Sequence, residues 1–275
     1  MDGEVIAPLP PLFELQDVSF DYEGVPAIDR LNLQIERGQQ IVLLGANGSG
    51  KSTLLRLLSA LCFPSSGSIC FEGKLLTPER SRTDEFISDF RRRTALVFQN
   101  PDAQLFNPTV FDEIAFGPLQ MQWPHAEITR RVSETMDLMG ISHLSSRPPY
   151  RLSGGEKKRV ALASVLVLDP EVLLLDEPTA TLDPRTQSQF IDLVQGWKDT
   201  SKTVITATHQ LDIVEDIARS ALVMEAGTVV ASGSTSEILM NSELLLKSNL
   251  IHAHRHSHNG IVHSHPHSHR HSHQH

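Results

Sequence analysis

The fold of this chain is decided by the stretch Leu43-Leu44-Gly45-Ala46-Asn47-Gly48-Ser49-Gly50-Lys51-Ser52-Thr53. The apolar run before it, residues 41–44, is typical of a buried strand, and the apolar spacing of residues 52–61 after it predicts a helix. Between a strand and a helix, the pattern G-x-x-x-x-G-K-[ST] is a phosphate-binding loop, because glycines let the backbone wrap an anion and the helix N-terminus directs N–H groups at it. The chain is therefore predicted to bind a nucleoside triphosphate.

The loop supplies several distinct contacts to such a ligand. Lys51 is expected to reach the β- and γ-phosphates as a point charge, and the Ser52 hydroxyl to be a ligand of Mg²⁺. The residues expected to contact the nucleotide are Gly45, Ala46, Asn47, Gly48, Ser49, Gly50, Lys51, Ser52 and Thr53.

Two adjacent carboxylates follow a second apolar run, residues 172–175. Ligands of open α/β sheets bind at the carboxyl ends of the strands, where these acids are predicted to lie. Asp176 is therefore expected to hold Mg²⁺, directly or through water. Glu177 points elsewhere and is expected to polarise a water for attack on the γ-phosphate.

The stretch Leu152-Ser153-Gly154-Gly155-Glu156 precedes another predicted helix. A hydroxyl, bare amides and a helix dipole converge there, which predicts a second phosphate-binding surface, although alone the pattern also fits an ordinary helix cap. One chain cannot easily fold both surfaces onto the same γ-phosphate. A second subunit facing the first head-to-tail is expected to complete the site.

Composition narrows the functional classes. Over 275 residues, 24 Lys and Arg against 33 Asp and Glu give a net charge of −9, which argues against a broad nucleic-acid surface. No apolar run approaches the roughly 20 residues of a membrane-spanning helix, and the acidic, Pro-rich N-terminus does not indicate a signal peptide. The two cysteines, Cys62 and Cys70, suit a reducing compartment. We expect a cytosolic protein that is able to dock on a membrane partner.

Strand and helix patterns alternate along the chain, which predicts an α/β fold with a mostly parallel, buried sheet. Residues 13–20 and 28–35 predict an antiparallel β edge subdomain, and the prolines of residues 100–151 punctuate a predicted helical insert. The expected divisions are an ATPase domain over 1–250, with core at about 12–99 and 152–235, insert at about 100–151 and C-terminal helix at about 236–247, and a tail over 251–275.

The order of these motifs resembles that of ABC-transporter ATPases, which have a P-loop NTPase core. The resemblance covers roughly residues 12–235, and it rests on the phosphate loop, Gln99 after a strand, residues 152–156 and 174–178, Leu182-Asp183 and His209. It implies a dimer that sandwiches two ATP molecules. Each site then uses the phosphate loop of one subunit and the Ser153 region of the other.

The resemblance also implies roles for single residues. Tyr22 matches the aromatic residue that stacks on adenine, Gln99 the glutamine that touches Mg²⁺ or the attacking water, and His209 the residue that contacts the γ-phosphate. Asp183 matches a loop that communicates across the dimer, where Thr181 departs from the usual glycine. The implied catalytic residues are Glu177, His209, Gln99 and Lys51; the Mg²⁺ ligands are Ser52, Gln99 and Asp176; the opposite subunit contributes Ser153, Gly154, Gly155 and Asp183.

Residues 97–106 (VFQNPDAQLF) and 109–118 (TVFDEIAFGP) look like the energy-coupling-factor branch of importer ATPases, and Lys157-Lys158-Arg159-Val160-Ala161 agrees. In that branch, paired ATPases drive a transmembrane coupling subunit and a membrane substrate-binding subunit that import vitamins, cobalt or nickel. The resemblance thus implies those membrane partners, a second ATPase copy or paralogue, no nucleic acid, and a peripheral place on the cytoplasmic face of the cell membrane.

The tail indicates a metal cargo. Residues 251–275 are rich in histidine, whose imidazole suits Ni²⁺, Co²⁺, Zn²⁺ and Cu²⁺. The same residues contain few apolar side chains, which predicts that the tail is disordered. We hypothesise that the transported ion is Ni²⁺ or Co²⁺ and that the tail binds it on the cytosolic side. Eleven histidines are the candidate ligands: His252, His254, His256, His258, His263, His265, His267, His269, His271, His273 and His275.

Three other functions fit parts of the sequence. The nearest keeps the same ATPase but imports a vitamin or another nutrient. A soluble ABC ATPase acting on nucleic acid or the ribosome is disfavoured by the single cassette and the acidic charge. A metal-storage protein with a vestigial ATPase is disfavoured because every catalytic position is filled. A purification tag remains the alternative explanation of the tail.

Overall fold

The computed structural model describes residues 10–79, 84–180, 182–198, 200–258 and 261–267. The departure from the family pattern at Thr181 lies outside the described residues, as do four of the tail histidines, His269, His271, His273 and His275. Across the described ranges, the strands form a four-stranded sheet, a six-stranded sheet and a two-stranded sheet.

The four-stranded sheet is antiparallel and has the order β2-β1-β4-β5. Its strands are β1 (Phe13–Tyr22), β2 (Val25–Ile35), β4 (Ser66–Phe71) and β5 (Lys74–Leu75). Phe13 and Leu15 are buried, as the apolar alternation predicts. Val18 is buried as well because the strand register shifts between Leu15 and Val18. The predicted antiparallel edge subdomain is therefore present.

The six-stranded sheet has the order β10-β9-β3-β8-β7-β6 and is parallel except for the antiparallel pair β9–β10. Its strands are β3 (Gln40–Leu44), β6 (Thr94–Val97), β7 (Val172–Asp176), β8 (Thr203–Thr208), β9 (Ser220–Glu225) and β10 (Thr228–Ser234). Every residue of β3, β7 and β8 is buried, which explains the apolar runs at residues 41–44 and 172–175. Strand β8 also buries Thr203, Thr206 and Thr208.

Helices cover both faces of the parallel sheet. They are α1 (Lys51–Leu58), α2 (Asp84–Arg93), α3 (Val110–Gln120), α4 (His125–Leu138), α5 (Gly154–Leu166), α6 (Pro184–Gln195), α7 (Val214–Ile217), α8 (Thr235–Met240) and α9 (Ser242–Lys247). Short 3-10 helices lie at Pro101–Ala103, Ser142–Leu144, Pro149–Arg151 and Leu211–Ile213. One apolar core lies between the antiparallel sheet, α1 and the parallel sheet, and a second joins the parallel sheet to α6, α7 and α8.

The helical segment between β6 and α5 has an apolar core of its own. Ile114 of α3 and Val132 of α4 belong to the same buried cluster as Val160 and Ala163 of α5. The insert predicted over residues 100–151 therefore packs against the helix that begins after Ser153.

An ion-pair network joins the antiparallel sheet to the parallel one. Glu72, just after β4, accepts hydrogen bonds from Arg37 and from Arg93, whose Nη1 lies 2.9 Å from Glu72 Oε2. Arg93 also donates to Glu171, which precedes β7, at 2.9 Å. The guanidinium of Arg93 lies 5.0 Å from the ring centre of Phe71.

The predicted C-terminal helix at about 236–247 is two helices in the structure. Asn241 separates α8 from α9 because its ψ of 79° is not helical, and its side chain accepts a hydrogen bond from Leu244 N as the cap of α9. An Asn that caps a new helix satisfies the amides that a continuous helix would have bonded.

The tail also differs from the expectation of disorder. Residues His252–His258 (β11) and Ile261–His267 (β12) form an antiparallel two-stranded sheet. The register places His252 opposite His267, His254 opposite His265 and His256 opposite His263. Two antiparallel strands are joined by backbone hydrogen bonds, which do not require apolar side chains. A low apolar content is therefore compatible with these two strands.

No helix within the described ranges is both long and apolar enough to cross a bilayer.

Candidate active site

The predicted phosphate loop connects β3 to α1 and is closely packed on its inner side. Gly50 has φ 104°, and a Cβ there would lie 2.6 Å from the carbonyl oxygen of Ala27. Gly45 has φ 156°, and a Cβ there would lie 2.5 Å from Ser49 Oγ. Both positions therefore require glycine. Asn47 and Gly48 form the exposed tip of the loop.

Helix α1 begins at this loop with Gly50 as its N-cap, and within the described chain no side chain caps it. The first amide N–H groups of a helix have no intrahelical partner. Those of Lys51, Ser52 and Thr53 are therefore free of a side-chain cap and directed at the loop, as anion binding requires.

The Lys51 side chain bends back over the loop. Its Nζ donates to the carbonyl oxygens of Gly45 at 2.6 Å and Ala46 at 3.1 Å. Burial lowers the pKa of Lys51, while the charges of Glu177 and Asp176 oppose this shift. The ammonium group thus lies in the loop and within electrostatic reach of both acids.

The predicted Mg²⁺ ligands Ser52 and Asp176 are brought together. Ser52 Oγ donates to Asp176 Oδ1 at 3.0 Å. Burial raises the pKa of Asp176, the hydrogen bond from Ser52 opposes the shift, and the nearby Glu177 carboxylate adds to it. A divalent cation would offset the cost of this buried negative charge.

The donor set fits Mg²⁺. In the described part of the chain, no group of three or more His, Cys, Asp or Glu side chains is arranged to hold a metal ion. Mg²⁺ is usually held by one or two protein oxygens plus water and phosphate oxygens. The Ser52 hydroxyl and the Asp176 carboxylate supply such a pair beside the phosphate loop.

Glu177 is held on both of its carboxylate oxygens. Thr208 Oγ1 donates to Oε2 at 3.0 Å, and His209 Nδ1 lies 2.7 Å from Oε1. Glu177 is only 3% exposed, and its φ of 46° turns the chain directly after β7, so its side chain diverges from that of Asp176. The His209 side chain is 52% exposed. The predicted base and the histidine predicted to contact the γ-phosphate are therefore in contact.

Tyr22, the predicted adenine-stacking residue, ends β1 near the helix after the phosphate loop. Arg56 Nη1 in α1 donates to the Tyr22 hydroxyl at 3.0 Å. The Tyr22 ring makes an edge contact with Phe20, with ring centres 4.9 Å apart, and remains partly exposed. The ring is thus fixed at its edge and at its hydroxyl, while part of its surface stays accessible to a base.

Gln99 lies in the exposed segment after β6. Within the described ranges its side chain makes no hydrogen bond to Ser52 or Asp176. The backbone carbonyl oxygen of Gln99 accepts a hydrogen bond from Lys158 Nζ at 2.9 Å. Its role toward Mg²⁺ or the attacking water stays a prediction.

Ser153 is the N-cap of α5 and is exposed. Its Oγ accepts from Glu156 N at 3.4 Å, while the Glu156 carboxylate accepts from Ser153 N at 2.7 Å and Oγ at 2.8 Å. A Cβ at Gly154 or Gly155 would meet nothing within 4 Å. Across the described chain, the hydrogen bonds of these residues do not reach the phosphate loop. Their contribution to the site of another subunit stays a prediction.

Asp183 has a local structural role. Its carboxylate caps α6 by accepting from Thr186 N at 3.1 Å and Thr186 Oγ1 at 2.6 Å. The hydrogen bonds from Thr186 hold the pKa of Asp183 below its ordinary value. Its part in communication across a dimer stays a prediction.

Sequence reasoning missed three residues that organise the site: Lys158, Thr208 and Arg56. Thr208 and Arg56 carry no signal beyond strand and helix composition. Lys158 does carry a sequence signal. It stands three residues before Ala161 and four before Leu162, so it shares one face of α5 with these two buried apolar residues. Burial lowers the pKa of Lys158 to about 8, against the opposing charges of Asp176 and Glu177.

Comparison with known families agrees with this geometry. The model of the family described as ABC transporter matches residues 28–180. This chain belongs to the ABC transporter family. As an ABC cassette it is an ATPase coupled to transport, and its α/β core, antiparallel sheet and helical segment are the predicted cassette fold.

Two curated relatives narrow the branch. The cassette is 53% identical over 245 residues to the nickel import ATP-binding protein NikO of Rhodobacter capsulatus, across 88% of this chain and 96% of that protein. It is 38% identical over 240 residues to the energy-coupling factor transporter ATP-binding protein EcfA of Methanothermobacter thermautotrophicus, across 87% of this chain and 76% of that protein. The predicted similarity to the energy-coupling-factor branch is confirmed.

A solved structure extends the match to three dimensions. The structure of cbiO1 from Clostridium perfringens, described as part of the ABC transporter complex cbiONQ, has a TM-score of 0.72 to this cassette at 39% identity. The match covers 88% of this chain and 95% of that one.

Proposed function

We propose that this cassette hydrolyses ATP to power the uptake of a transition-metal ion, nickel or cobalt, through partner transmembrane subunits. The arrangement of Glu177 is the main support for ATP hydrolysis. Its buried carboxylate is held by Thr208 and His209, and it directly follows Asp176, which is hydrogen-bonded to Ser52. A base, a metal-binding pair and a phosphate loop thus meet at the carboxyl ends of β3, β7 and β8.

Each side chain has a distinct task in hydrolysis. Glu177 orients and polarises a water molecule for in-line attack on the γ-phosphate. His209 holds the Glu177 carboxylate in place and extends an exposed imidazole toward the bound nucleotide. Lys51 and the first amides of α1 bind the phosphate oxygens. Ser52 and Asp176 would hold Mg²⁺, which neutralises phosphate charge when it is bound.

The second half of each site is proposed to come from another subunit. Ser153, Gly154 and Gly155 present a hydroxyl and unobstructed amides at the start of α5, without a contact to the loop of their own chain in the described residues. A head-to-tail dimer of two copies, or of this chain and a paralogue, would place this surface on the γ-phosphate bound by the other subunit. ATP then holds the dimer closed, and hydrolysis opens it.

The surface proposed for the membrane partner lies beside the Gln99 segment. Phe106 is 68% exposed and makes an edge contact with Phe116, with ring centres 5.0 Å apart, and Leu119 is also exposed. Buried Glu113 holds this surface by accepting from the backbone N–H groups of Phe106 at 2.8 Å and Asn107 at 2.7 Å. We assign its occupant as a helix of the transmembrane coupling subunit, which would place the cassette peripherally on the cytoplasmic face of the membrane.

Two observations support a metal cargo. The cassette shares 53% identity with a protein named for nickel import. The tail pairs six of its eleven histidines across β11 and β12, and imidazole is a preferred ligand of nickel and cobalt. A buffering or sensing role on the cytosolic side suits such a tail better than a place in the transport path.

Metal uptake by cells tests this function. Cells that co-express the membrane subunits with this cassette should accumulate nickel or cobalt, and Lys51→Ala should abolish the accumulation. Lys198→Ala, a substitution outside the site, serves as the control and should leave uptake unchanged. Uptake of a vitamin instead of metal would support the nearest alternative. Co-purification with RNA rather than a membrane protein would support a nucleic-acid ATPase.

The tail is tested separately by isothermal titration. Full-length cassette should bind Ni²⁺ or Co²⁺ at sites that a chain truncated after Ile251 lacks. Equal binding by both proteins would reject a metal-binding tail and would leave the ATPase assignment untouched.

A further inference from the structure

A buried lysine connects two parts of the site that sequence motifs treat as separate. Lys158 in α5 is 1% exposed, and its Nζ donates to the carbonyl oxygens of Gln99 at 2.9 Å and Phe98 at 3.4 Å. A buried ammonium group is costly unless it is hydrogen-bonded, so this arrangement needs those two carbonyl partners.

The helix turns only this lysine of its basic run fully inward. Lys157 and Arg159 on either side are partly exposed, whereas Lys158 shares the buried face with Ala161 and Leu162. The inward placement therefore follows from the helical register of α5.

The segment that accepts these hydrogen bonds is fastened to α5 elsewhere too. Lys157 Nζ lies 2.7 Å from Asp102 Oδ1, and Gln104 Nε2 donates to Ala161 O at 2.8 Å. Residues 98–104 thus lie along the helix that starts at Ser153. Lys158 is the attachment nearest to Gln99.

Two acids of the site also act on this ammonium group. The negative charges of Asp176 and Glu177 both favour the charged form of Lys158. The ammonium group that holds the Gln99 segment is therefore also within electrostatic reach of the two acids that follow the apolar run of β7.

We propose that Lys158 is a positioning residue: it holds the Gln99 segment of its own nucleotide site and fixes that segment to the helix whose start, at Ser153, serves the site of the neighbouring subunit. The second half rests on the proposed dimer. A displacement of the Gln99 segment by a membrane partner is then passed along α5 to the other nucleotide.

A double-mutant cycle on the purified full-length cassette tests the first half. Lys158→Met removes the donor at similar side-chain length, and Lys158→Gln keeps an N–H donor without the charge. In the native background, Lys158→Met should lower kcat about tenfold with KM for ATP changed less than about twofold, and Lys158→Gln should retain more activity than Lys158→Met.

In a Gln99→Ala background, Lys158→Met should lower kcat by less than about twofold. The backbone acceptors of Lys158 remain in that background, but the Gln99 side chain that the segment positions is gone. Lys157→Met, the matched control, loses the ion pair between the same helix and Asp102. It should stay within about twofold of native kcat, since the Asp102 carboxylate is largely exposed to solvent and lies three residues beyond Gln99. Thermal unfolding of each variant checks that it is folded. Should Lys158→Met not fold, the same cycle is run with Lys158→Gln.

The outcomes separate the inference from the function it extends. Additive effects of Lys158 and Gln99 substitutions, or an equal loss in Lys157→Met, would overturn the positioning role. Additive effects of Lys158→Met and Ser153→Ala on kcat would overturn the link to the neighbouring subunit. A cassette that shows both couplings but supports no metal uptake would contradict the proposed cargo alone.

Discussion

Nδ1 of His209 lies 2.7 Å from Oε1 of Glu177, so the two residues that directly follow β7 and β8 form one unit. Thr208 completes the unit at the other carboxylate oxygen. Because Glu177 is buried and held on both sides, its orientation is set before any substrate binds. Preorganisation of this kind lowers the reorganisation needed in the transition state.

Glu177→Gln should preserve the shape of this unit and remove the base. ATP hydrolysis is expected to fall by about 10² to 10⁴, while ATP binding persists. The variant should therefore accumulate as an ATP-bound dimer in size-exclusion chromatography with ATP present. Glu215→Gln, on the exposed face of α7, is the control and should hydrolyse ATP normally. Unchanged hydrolysis in Glu177→Gln would remove Glu177 from the role of base.

Asp176→Asn should separate stability from activity. Burial raises the pKa of Asp176, so above the ordinary Asp pKa its ionised form destabilises the folded state. The neutral amide should raise Tm of the nucleotide-free protein by about 1–4 °C at neutral pH and abolish Mg²⁺-dependent hydrolysis. The gain should shrink as pH falls and the native carboxyl is protonated. A lower Tm at neutral pH would show that the carboxylate is stabilising.

Ser153→Asp should test the cross-dimer surface without loss of the helix cap. Aspartate is as good an N-cap as serine, but its carboxylate would meet that of Glu156, which accepts from Ser153 Oγ, so Tm should fall slightly while the protein stays folded. Its charge would repel a phosphate, so hydrolysis at saturating ATP should fall at least about tenfold. For the native cassette, turnover per subunit should rise with protein concentration. Full activity of Ser153→Asp at all concentrations would contradict a shared site.

Tyr22 variants should distinguish stacking from the hydroxyl contact with Arg56. Tyr22→Phe keeps the ring and should leave KM for ATP within about twofold, since one exposed hydrogen bond contributes little. Tyr22→Ala should raise KM about tenfold, in line with about 1–3 kcal/mol for stacking of a base on an aromatic ring. Equal effects of the two substitutions would assign the role to the hydroxyl.

Glu72 should make the fold sensitive to acid. The hydrogen bond from Arg93 holds the pKa of Glu72 below its ordinary value, burial opposes this, and Arg37 adds to it. Stability from a depressed carboxyl pKa is present above the unfolded-state pKa and is lost as pH falls through the folded-state value. Glu72→Gln should thus lower Tm at pH about 7 and differ less from native at pH about 3. A Tm difference independent of pH would contradict this account.

The sequence predicts best those strands that are fully buried and whose apolar runs end at a clear change of residue type. The strand predicted at residues 41–44 is β3, Gln40–Leu44, because its apolar run is fully buried and ends where Gly45 begins the phosphate loop. The phosphate loop and the Asp176–Glu177 pair are also where predicted, since their chemistry permits few residue types. Gln99 is the counterexample: its motif is local, but the position of its side chain depends on tertiary contacts.

The misses have tertiary or local causes. Lys158 looks solvent-exposed in a run of basic residues, and only the register of α5 turns it inward. The separation of α8 from α9 depends on the Asn241 side chain, which caps α9, and the spacing of apolar residues does not predict this cap. The tail strands depend on backbone pairing between segments with almost no apolar side chains.

The core that α5 shares with α3 and α4 has a practical consequence for engineering. A chimera that exchanges the helical insert alone would pair one protein's insert with another's α5 and leave mismatched side-chain volumes at Val160 and Ala163. The exchangeable module runs from Asn100 through Leu168, and so includes Ser153. Transplanting recognition of a new membrane partner would bring a new cross-dimer contact with it.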